Sequence, residues 1–492
     1  MEWIGERVAS ARSRCEDGVA RSLEWRKSQL EALMRLHEEE QDEIKAAIMA
    51  DFGGMELRAL VDLGGYEAAK IAYDNLDSWS ADVRVPHKEW IGKSVYRPSP
   101  KGVVLIVGPC NYPFFCTMIP LASAIAAGNC VVIKPSEVST NSGKLLEALV
   151  NKYLDTSAIK VVQGGVPETT ELLKQKFDHI FYTGSSTVGR IVLKAAALHL
   201  TPVTLELGGK APVIIDSSAN MDVVIPRVVL GKILNSGQTC VAPDYILVHE
   251  SRKDELIDKL VSALKKCFGG NARTSSEFGK IISAHHVKRL AKFFATKHGK
   301  VISPCLGDKE PPFDEDALYV TPSLVIDPHE DDLILKEEVF GPLISVKSFT
   351  TIENAIETVG RICKEPLAIY VFSENKTNVE RIINETESGG VCVNSVFEQC
   401  TNRELPFGGK GESGSGMYFG KFGFDTFSHQ RAIFYKDSTV FKDSLFPLPP
   451  HPSWLYDLAA KAVIFGFIPR RFQAYKAHMF SLFLVAVYLM KS

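Results

Sequence analysis

The stretch from Thr204 to Cys240 holds the two residue types best suited to covalent chemistry on a carbonyl. It opens Thr204-Leu205-Glu206-Leu207-Gly208-Gly209-Lys210 and closes Asn235-Ser236-Gly237-Gln238-Thr239-Cys240. A thiolate is the strongest common nucleophile near neutral pH. A carboxylate at an apolar, glycine-bounded strand end can serve as its base. Cysteine is also among the most buried residue types, so an inert core Cys240 and a salt-bridged Glu206 stay open on these residues alone.

Other residues could complete such a site. Asn111, in Gly108-Pro109-Cys110-Asn111-Tyr112-Pro113-Phe114, carries an amide that could donate to a developing oxyanion, or simply close a turn. Phe181-Tyr182-Thr183-Gly184-Ser185-Ser186-Thr187-Val188-Gly189 reads as strand, tight turn and helix start, where backbone N–H groups favour an anionic pyrophosphate. Its spacing is neither the usual dinucleotide fingerprint nor a P-loop, and a plain turn fits as well. Gly409-Lys410-Gly411-Glu412-Ser413-Gly414 matches the fingerprint more literally, but no apolar strand runs into it. Lys134 and Glu137 follow a short apolar run, where they could hold ribose oxygens or cap a helix. Glu338 and Phe340, two apart in an extended segment, share a face. They could hold a ribose and stack on a ring, or form an exposed turn.

The elements that must position these residues alternate. Val103–Val107, Val131–Ile133, Ile159–Val162, His179–Tyr182 and Val203–Leu205 read as strands. Between them Ile119–Ala127, Leu145–Tyr153, Glu168–Lys176 and Val188–His199 read as helices. That order implies parallel βαβ units covered on both faces, with ligands beyond the carboxyl ends of the strands. Asn111, Lys134, Glu137, Gly184 and Glu206 all fall at that edge. Alternation resumes after Cys240, with Tyr245–Val248, Leu256–Phe268, His285–Ala295, Ile344–Val346, Ala355–Val359 and Ala368–Phe372 marking a second α/β domain. Before the first strand, Val8 to about Asp77 is a helical lead-in. Ile44, Ile48, Leu57, Leu60 and Val61 are its expected buried faces, and no chemistry is assigned to it. Val83–Tyr96 reads as an extended excursion and Thr401–Gly416 as a loop.

A chain of 492 residues needs two or three domains, and 45% hydrophobic with 23% charged residues is a globular balance. A net charge of −3 without a long basic run argues against nucleic acid. Ten cysteines without paired spacing suit free thiols in a reducing compartment, and His285-His286 is not a zinc spacing. The first residues lack the pattern of a signal peptide.

Taken together, these stretches resemble the aldehyde dehydrogenase superfamily from about residue 3 to 435. The resemblance is carried by Pro109-Cys110-Asn111-Tyr112-Pro113, Lys134-Pro135-Ser136-Glu137, Phe181 to Gly189, Leu205 to Lys210, Gly237-Gln238-Thr239-Cys240, Glu338-Val339-Phe340-Gly341-Pro342 and Leu405-Pro406-Phe407-Gly408-Gly409. The short lead-in and Phe424-Asp425-Thr426-Phe427-Ser428-His429 look like the class 3 branch, and the apolar tail looks like its membrane-bound fatty aldehyde dehydrogenases. The resemblance implies Cys240 as nucleophile, Asn111 with the Cys240 N–H as oxyanion donors, and Glu206 as activator of water. It implies Lys134 and Glu137 at the adenosine ribose, Gly184, Ser185, Ser186, Thr187, Val188 and Gly189 by the pyrophosphate, and Glu338 and Phe340 at the nicotinamide end. The cofactor would be NAD, with NADP left open by Lys134. The implied domains are a Rossmann-like cofactor domain (1–81 and 99–205), a catalytic domain (206–409), a bridging element that makes a homodimer (82–98 and 410–435) and a tail (436–492).

Phe480–Met490 is apolar apart from Ser481 and Tyr488, shorter than the ~20 residues of a spanning helix. Leu458–Ile468 is a second apolar stretch, and Arg470, Arg471, Lys476, His478 and Lys491 flank the two. An interfacial or hairpin anchor fits better than one clean span; a helix packed on the enzyme is the alternative. An anchor implies the cytosolic face of an intracellular membrane, endoplasmic reticulum first, with peroxisomal or mitochondrial surfaces as alternatives, and a lipid-derived aldehyde as substrate. Competing readings are a dehydrogenase of small or aromatic aldehydes, a retired membrane-bound scaffold, and a cysteine hydrolase.

Overall fold

The computed structural model describes residues 1–86 and 93–436. The tail beyond 436, with its expected membrane anchor, lies outside the described residues. One compact unit comprises Met1–Val83 and Tyr96–Arg431; of the other, residues 84–86, 93–95 and 432–436 are described. Of the second, the described residues belong to or adjoin the strands Val83–Arg84, Lys93–Pro100 and Ser428–Tyr435. Among the described residues no helix is long and apolar enough to cross a membrane.

The first unit holds two large sheets. The expected runs Val103–Val107, Cys130–Lys134, Ile159–Val161, His179–Thr183 and Val203–Glu206 are parallel strands of one six-stranded sheet, whose far edge is the antiparallel Gly414–Ser415. Every residue of Val103–Val107 and Cys130–Lys134 is buried, as a strand covered on both faces must be. Helices Phe115–Ala127, Thr140–Tyr153, Val166–Lys174 and Ser186–Ala197 alternate with them, each starting a few residues earlier than periodicity alone places it. Register aligns the strand ends: Val107 pairs with Lys134 and Tyr182, and Thr183 with Glu206. One carboxyl edge therefore carries the loops of Asn111, Lys134, Gly184 and Glu206.

The second sheet has seven strands in the order Lys300–Ile302, Ser323–Ile326, Leu343–Phe349, Pro243–His249, Ala211–Ile215, Ala368–Phe372 and Gly390–Val393, parallel except at its first pair. Leu207–Lys210 alone joins Val203–Glu206 of the first sheet to Ala211–Ile215 of the second. Ala211 pairs with Pro243, so the segments before them, ending in Lys210 and containing Cys240, run side by side. Topology thus puts the carboxyl edge of one sheet against the amino edge of the other. Glu206 closes the first edge and Cys240 opens the second.

The lead-in is helical as expected, with Glu2–Glu16, Leu23–Glu39, Gln41–Phe52, Glu56–Asp62 and Gly65–Ser80. Ile44 and Ile48 are fully buried, but Leu57 and Leu60 are 47% and 48% exposed. Helix Glu56–Asp62 is turned the other way, burying Arg58, Ala59 and Asp62. Apolar spacing misreads this helix because its charged face makes buried polar contacts that a hydrophobic pattern cannot register.

Candidate active site

Glu206 is 2% exposed, and neither carboxyl oxygen has a hydrogen-bond partner. Burial lifts its carboxyl well above the ordinary carboxylate range. The Cys240 residue keeps some accessible surface while its thiol is densely surrounded. The thiol is pushed up to about 12, first by burial, then by the charges of Glu338 and Glu206. Thiol and unpaired carboxyl are thus electrostatic neighbours.

Asn111 joins them through the backbone ahead of the thiol. Its Nδ2 donates to the Gln238 carbonyl at 3.0 Å, and Asn235 Nδ2 donates to the same oxygen at 3.1 Å. Asn235 Nδ2 also reaches the Asn111 carbonyl at 3.1 Å, and Tyr112 Oη meets Thr239 Oγ1 at 3.0 Å. Gln238 fixes the far side: its Nε2 donates to the Asn235 and Lys280 carbonyls at 3.0 Å, and its Oε1 accepts from Ile282 N–H at 2.9 Å. One Asn111 amide proton stays uncommitted, as an oxyanion donor requires.

Glu338 arrives from far along the chain. A Cβ on Gly208 would lie 2.3 Å from Glu338 Oε2, so only glycine lets this carboxyl lie against the segment after Glu206. A buried pair of Lys210 and Asp244 pins the segment: Lys210 Nζ donates to Asp244 and, at 2.8 Å, to the Ile334 and Glu337 carbonyls. Asp244 Oδ2 accepts from Val339 N–H at 2.8 Å, and Arg289 donates to the Glu338 and Val339 carbonyls at 2.9 and 2.7 Å. Phe340 follows at φ 45°, a left-handed conformation that bulky residues rarely adopt, with its ring 6.5 Å from that of His286.

At the end of the strand Cys130–Lys134, Lys134 is buried and Glu137 half-exposed, with Nζ 3.2 Å from Glu137 Oε2. Burial holds the Lys134 ammonium below its ordinary value. Ser185 caps helix Ser186–Ala197 by accepting from Val188 N–H at 3.4 Å, while Gly189 is buried and Thr187 and Val188 are exposed. A charged amine, a carboxylate, a capped helix start and an acidic group at Gly208 along one edge suit the ribose hydroxyls and pyrophosphate of a nicotinamide dinucleotide.

Contacts thus join Asn111, the loop before Cys240, the segment after Glu206 and Glu338, while Lys134, Glu137 and Gly184 to Gly189 lie at the carboxyl edge of the first sheet. Arg58, Asp62, Asn235, Asp244 and Arg289 were not among the expected residues. Arg58 and Asp62 stand four apart on one helix, a spacing that signals a pair, but the neighbouring leucines masked it.

A two-sheet α/β fold with a thiol, an unpaired carboxyl and an amide at the junction suits a nicotinamide-dependent oxidoreductase. The chain belongs to the aldehyde dehydrogenase family, whose pattern it matches over residues 2–433. It is 43% identical to aldehyde dehydrogenase family 3 member A2 of Mus musculus over 437 residues, covering 87% of this chain and 88% of that protein. It is 40% identical to the dimeric NADP-preferring aldehyde dehydrogenase of Rattus norvegicus, covering 92% and 99%. The substrate-bound state of Staphylococcus aureus AldH superposes with a TM-score of 0.86 at 36% identity, covering 93% and 99%. The chain is accordingly an NAD(P)-dependent aldehyde dehydrogenase of the class 3 branch.

Burial, then the nearby Asp244, raises the Glu338 carboxyl from about 4.5 to about 7. Between those values the unfolded chain has released this proton and the folded chain keeps it, so the group lowers stability as pH rises through that window. In the nucleotide-free enzyme, Glu338→Gln is expected to raise Tm at pH 8 and to gain progressively less toward pH 5. A Tm difference that does not change between these pH values would contradict the assignment.

Proposed function

We propose that Cys240 attacks the aldehyde carbonyl and that Glu206 completes the oxidation by activating water. The observation that carries this reading is the pair itself: a buried carboxyl with two unpartnered oxygens beside a cysteine that retains accessible surface. The thiol proton leaves to a base or to water as the C–S bond forms. The Asn111 amide and the Cys240 N–H hold the resulting oxyanion. When bound, the dinucleotide supplies the acceptor for the hydride leaving that carbon, and a thioester remains on Cys240. Glu206 then takes a proton from water, hydroxide adds to the thioester, and the C–S bond breaks to give carboxylate and free thiol. Its raised proton affinity makes ionised Glu206 a stronger base than an exposed carboxylate. Lys134 and Glu137 hold the adenosine ribose, residues Gly184 to Gly189 the pyrophosphate, and Glu338 with Phe340 the nicotinamide ribose and ring. Glu206→Gln is expected to retain a first-turnover burst of NADH yet lose at least about 100-fold in steady-state turnover. Loss of the burst with turnover would assign Glu206 to the first half-reaction instead.

The substrates are medium- to long-chain aliphatic aldehydes. This reading rests on the likeness to the family 3 member A2 proteins and on the two apolar stretches of the tail. NAD is the preferred cofactor, because the Glu137 carboxylate would repel a 2′-phosphate, while Lys134 and the NADP-preferring relative keep NADP in play. NADH or NADPH formation across an aldehyde series from propanal to hexadecanal is expected to give kcat/KM rising with chain length and higher with NAD. A maximum at propanal or benzaldehyde would favour a dehydrogenase of small or aromatic aldehydes.

The working form is a homodimer held on the cytosolic face of an intracellular membrane, the endoplasmic reticulum first, through residues 436–492. Deleting Trp454–Ser492 is expected to move the enzyme into the soluble fraction; unchanged sedimentation with membranes would remove the anchor.

A further inference from the structure

Two loops from different sheets must meet for the chemistry. Asn111 follows the strand Val103–Val107 of the first sheet, and Cys240 precedes Pro243–His249 of the second. The loop before Cys240 is also strained: Asn235, Ser236 and Gly237 are left-handed in succession, at φ 51°, 51° and 74°. At Gly237 a Cβ would lie 2.1 Å from the Gly341 carbonyl oxygen, so this loop is pressed against the segment carrying Phe340. Consecutive left-handed residues persist only where their surroundings over-determine them.

One buried side chain grips both loops. Arg58, 1% exposed, donates from Nε to Asn235 Oδ1 at 3.1 Å and from Nη2 to the Asn111 carbonyl oxygen. Its Nη1 lies 2.9 Å from Asp62 Oδ2, and its guanidinium carbon lies 3.9 Å and 5.1 Å from the ring centroids of Phe52 and Tyr112. Asp62 is itself anchored: its Oδ1 accepts from Phe114 and Phe115 N–H at 3.0 and 2.8 Å, where helix Phe115–Ala127 begins. A rigid fork that contacts an acid, an amide oxygen and a carbonyl at fixed angles sets distances that a flexible ammonium cannot.

The geometry points to Arg58 as a positioning residue for the oxidation, fixing the Asn111 amide relative to the Cys240 thiol while touching neither substrate nor cofactor. The inference rests on the reading of Cys240 as nucleophile and Asn111 as oxyanion donor. It places a determinant of rate in a helix whose sequence suggested only packing.

The test uses the full chain with Arg58→Lys, Arg58→Met and Cys240→Ala, reading the single-turnover rate of NADH formation, aldehyde KM, the NADH dissociation constant and Tm. Misplacement of reacting groups by about an ångström costs about 100-fold in rate. The single-turnover rate is therefore expected to fall about 100-fold in Arg58→Met and about 10-fold in Arg58→Lys, with KM and NADH affinity within about twofold of the parent. If Arg58→Met does not fold, Arg58→Lys decides, since it keeps a cation beside Asp62. A parental single-turnover rate in Arg58→Lys overturns the proposal. So does a parallel loss of rate, NADH affinity and Tm, or a lysine variant that does not fold, since each makes Arg58 merely structural. Turnover surviving in Cys240→Ala would defeat the nucleophile reading. Its loss there, with a parental rate in Arg58→Lys, would defeat the Arg58 proposal alone.

Discussion

A carboxyl group removed from water and given no hydrogen-bond partner is the constraint around which the site is built. Such burial costs free energy that nothing at Glu206 returns. The environment responds by holding the proton on the carboxyl, and the same dryness holds the proton on Cys240 and raises Glu338. Burial is the first cause at all three, and at Cys240 the charges of Glu338 and Glu206 add to it. Glu206 has no hydrogen bond of its own to hold it in place. Positioning has to come from groups one layer out.

Two buried ion pairs supply it. Arg58–Asp62 ties the Asn111 loop to the loop before Cys240, and Lys210–Asp244 ties the end of the Glu206 segment to the segment of Glu338. Buried pairs are weak sources of net stability, since desolvation offsets most of their attraction, and breaking one partner costs ~3–5 kcal/mol. Their value here is geometric. Each pair spends further donors and acceptors on loop groups, backbone ones except for the Asn235 side chain held by Arg58, and each connects stretches distant in sequence.

This division explains what could be read from the sequence. The apolar runs were legible because strands buried on both faces must be continuous in Val, Ile and Leu, and the sheet edge was legible because Lys134, Gly184 and Glu206 sit at the ends of those runs. The strand Ala211–Ile215 was hidden behind the glycine pair that precedes it, and Gly390–Val393 was too short to show a pattern. Arg58 and Asp62 were invisible for a different reason. A helix that buries charge and exposes Leu57 and Leu60 inverts the rule by which helices are oriented. Left-handed backbone at Asn235 and Ser236 leaves no signal either, since asparagine and serine occur in every kind of turn.

The most literal nucleotide motif shows how context decides the meaning of a pattern. Gly409 to Gly414 has the right glycines and no strand before it, and in the structure it does a different job. Leu207 N–H donates to the Ser413 carbonyl at 3.0 Å, and Gly414 and Ser415 pair antiparallel with Glu206 and Leu205. The segment closes the open edge of the sheet beside the very strand that ends in Glu206. Just beyond it Tyr418 packs edge-on against Phe181 and Phe407, with ring centroids 5.1 and 5.5 Å apart. The strand of the buried Glu206 is thus covered at its edge by a piece of chain roughly two hundred residues further on. The basicity of the carboxylate is thus a property of the whole folded unit, and a fragment ending at Cys240 would hold both reactive groups without the dryness that tunes them.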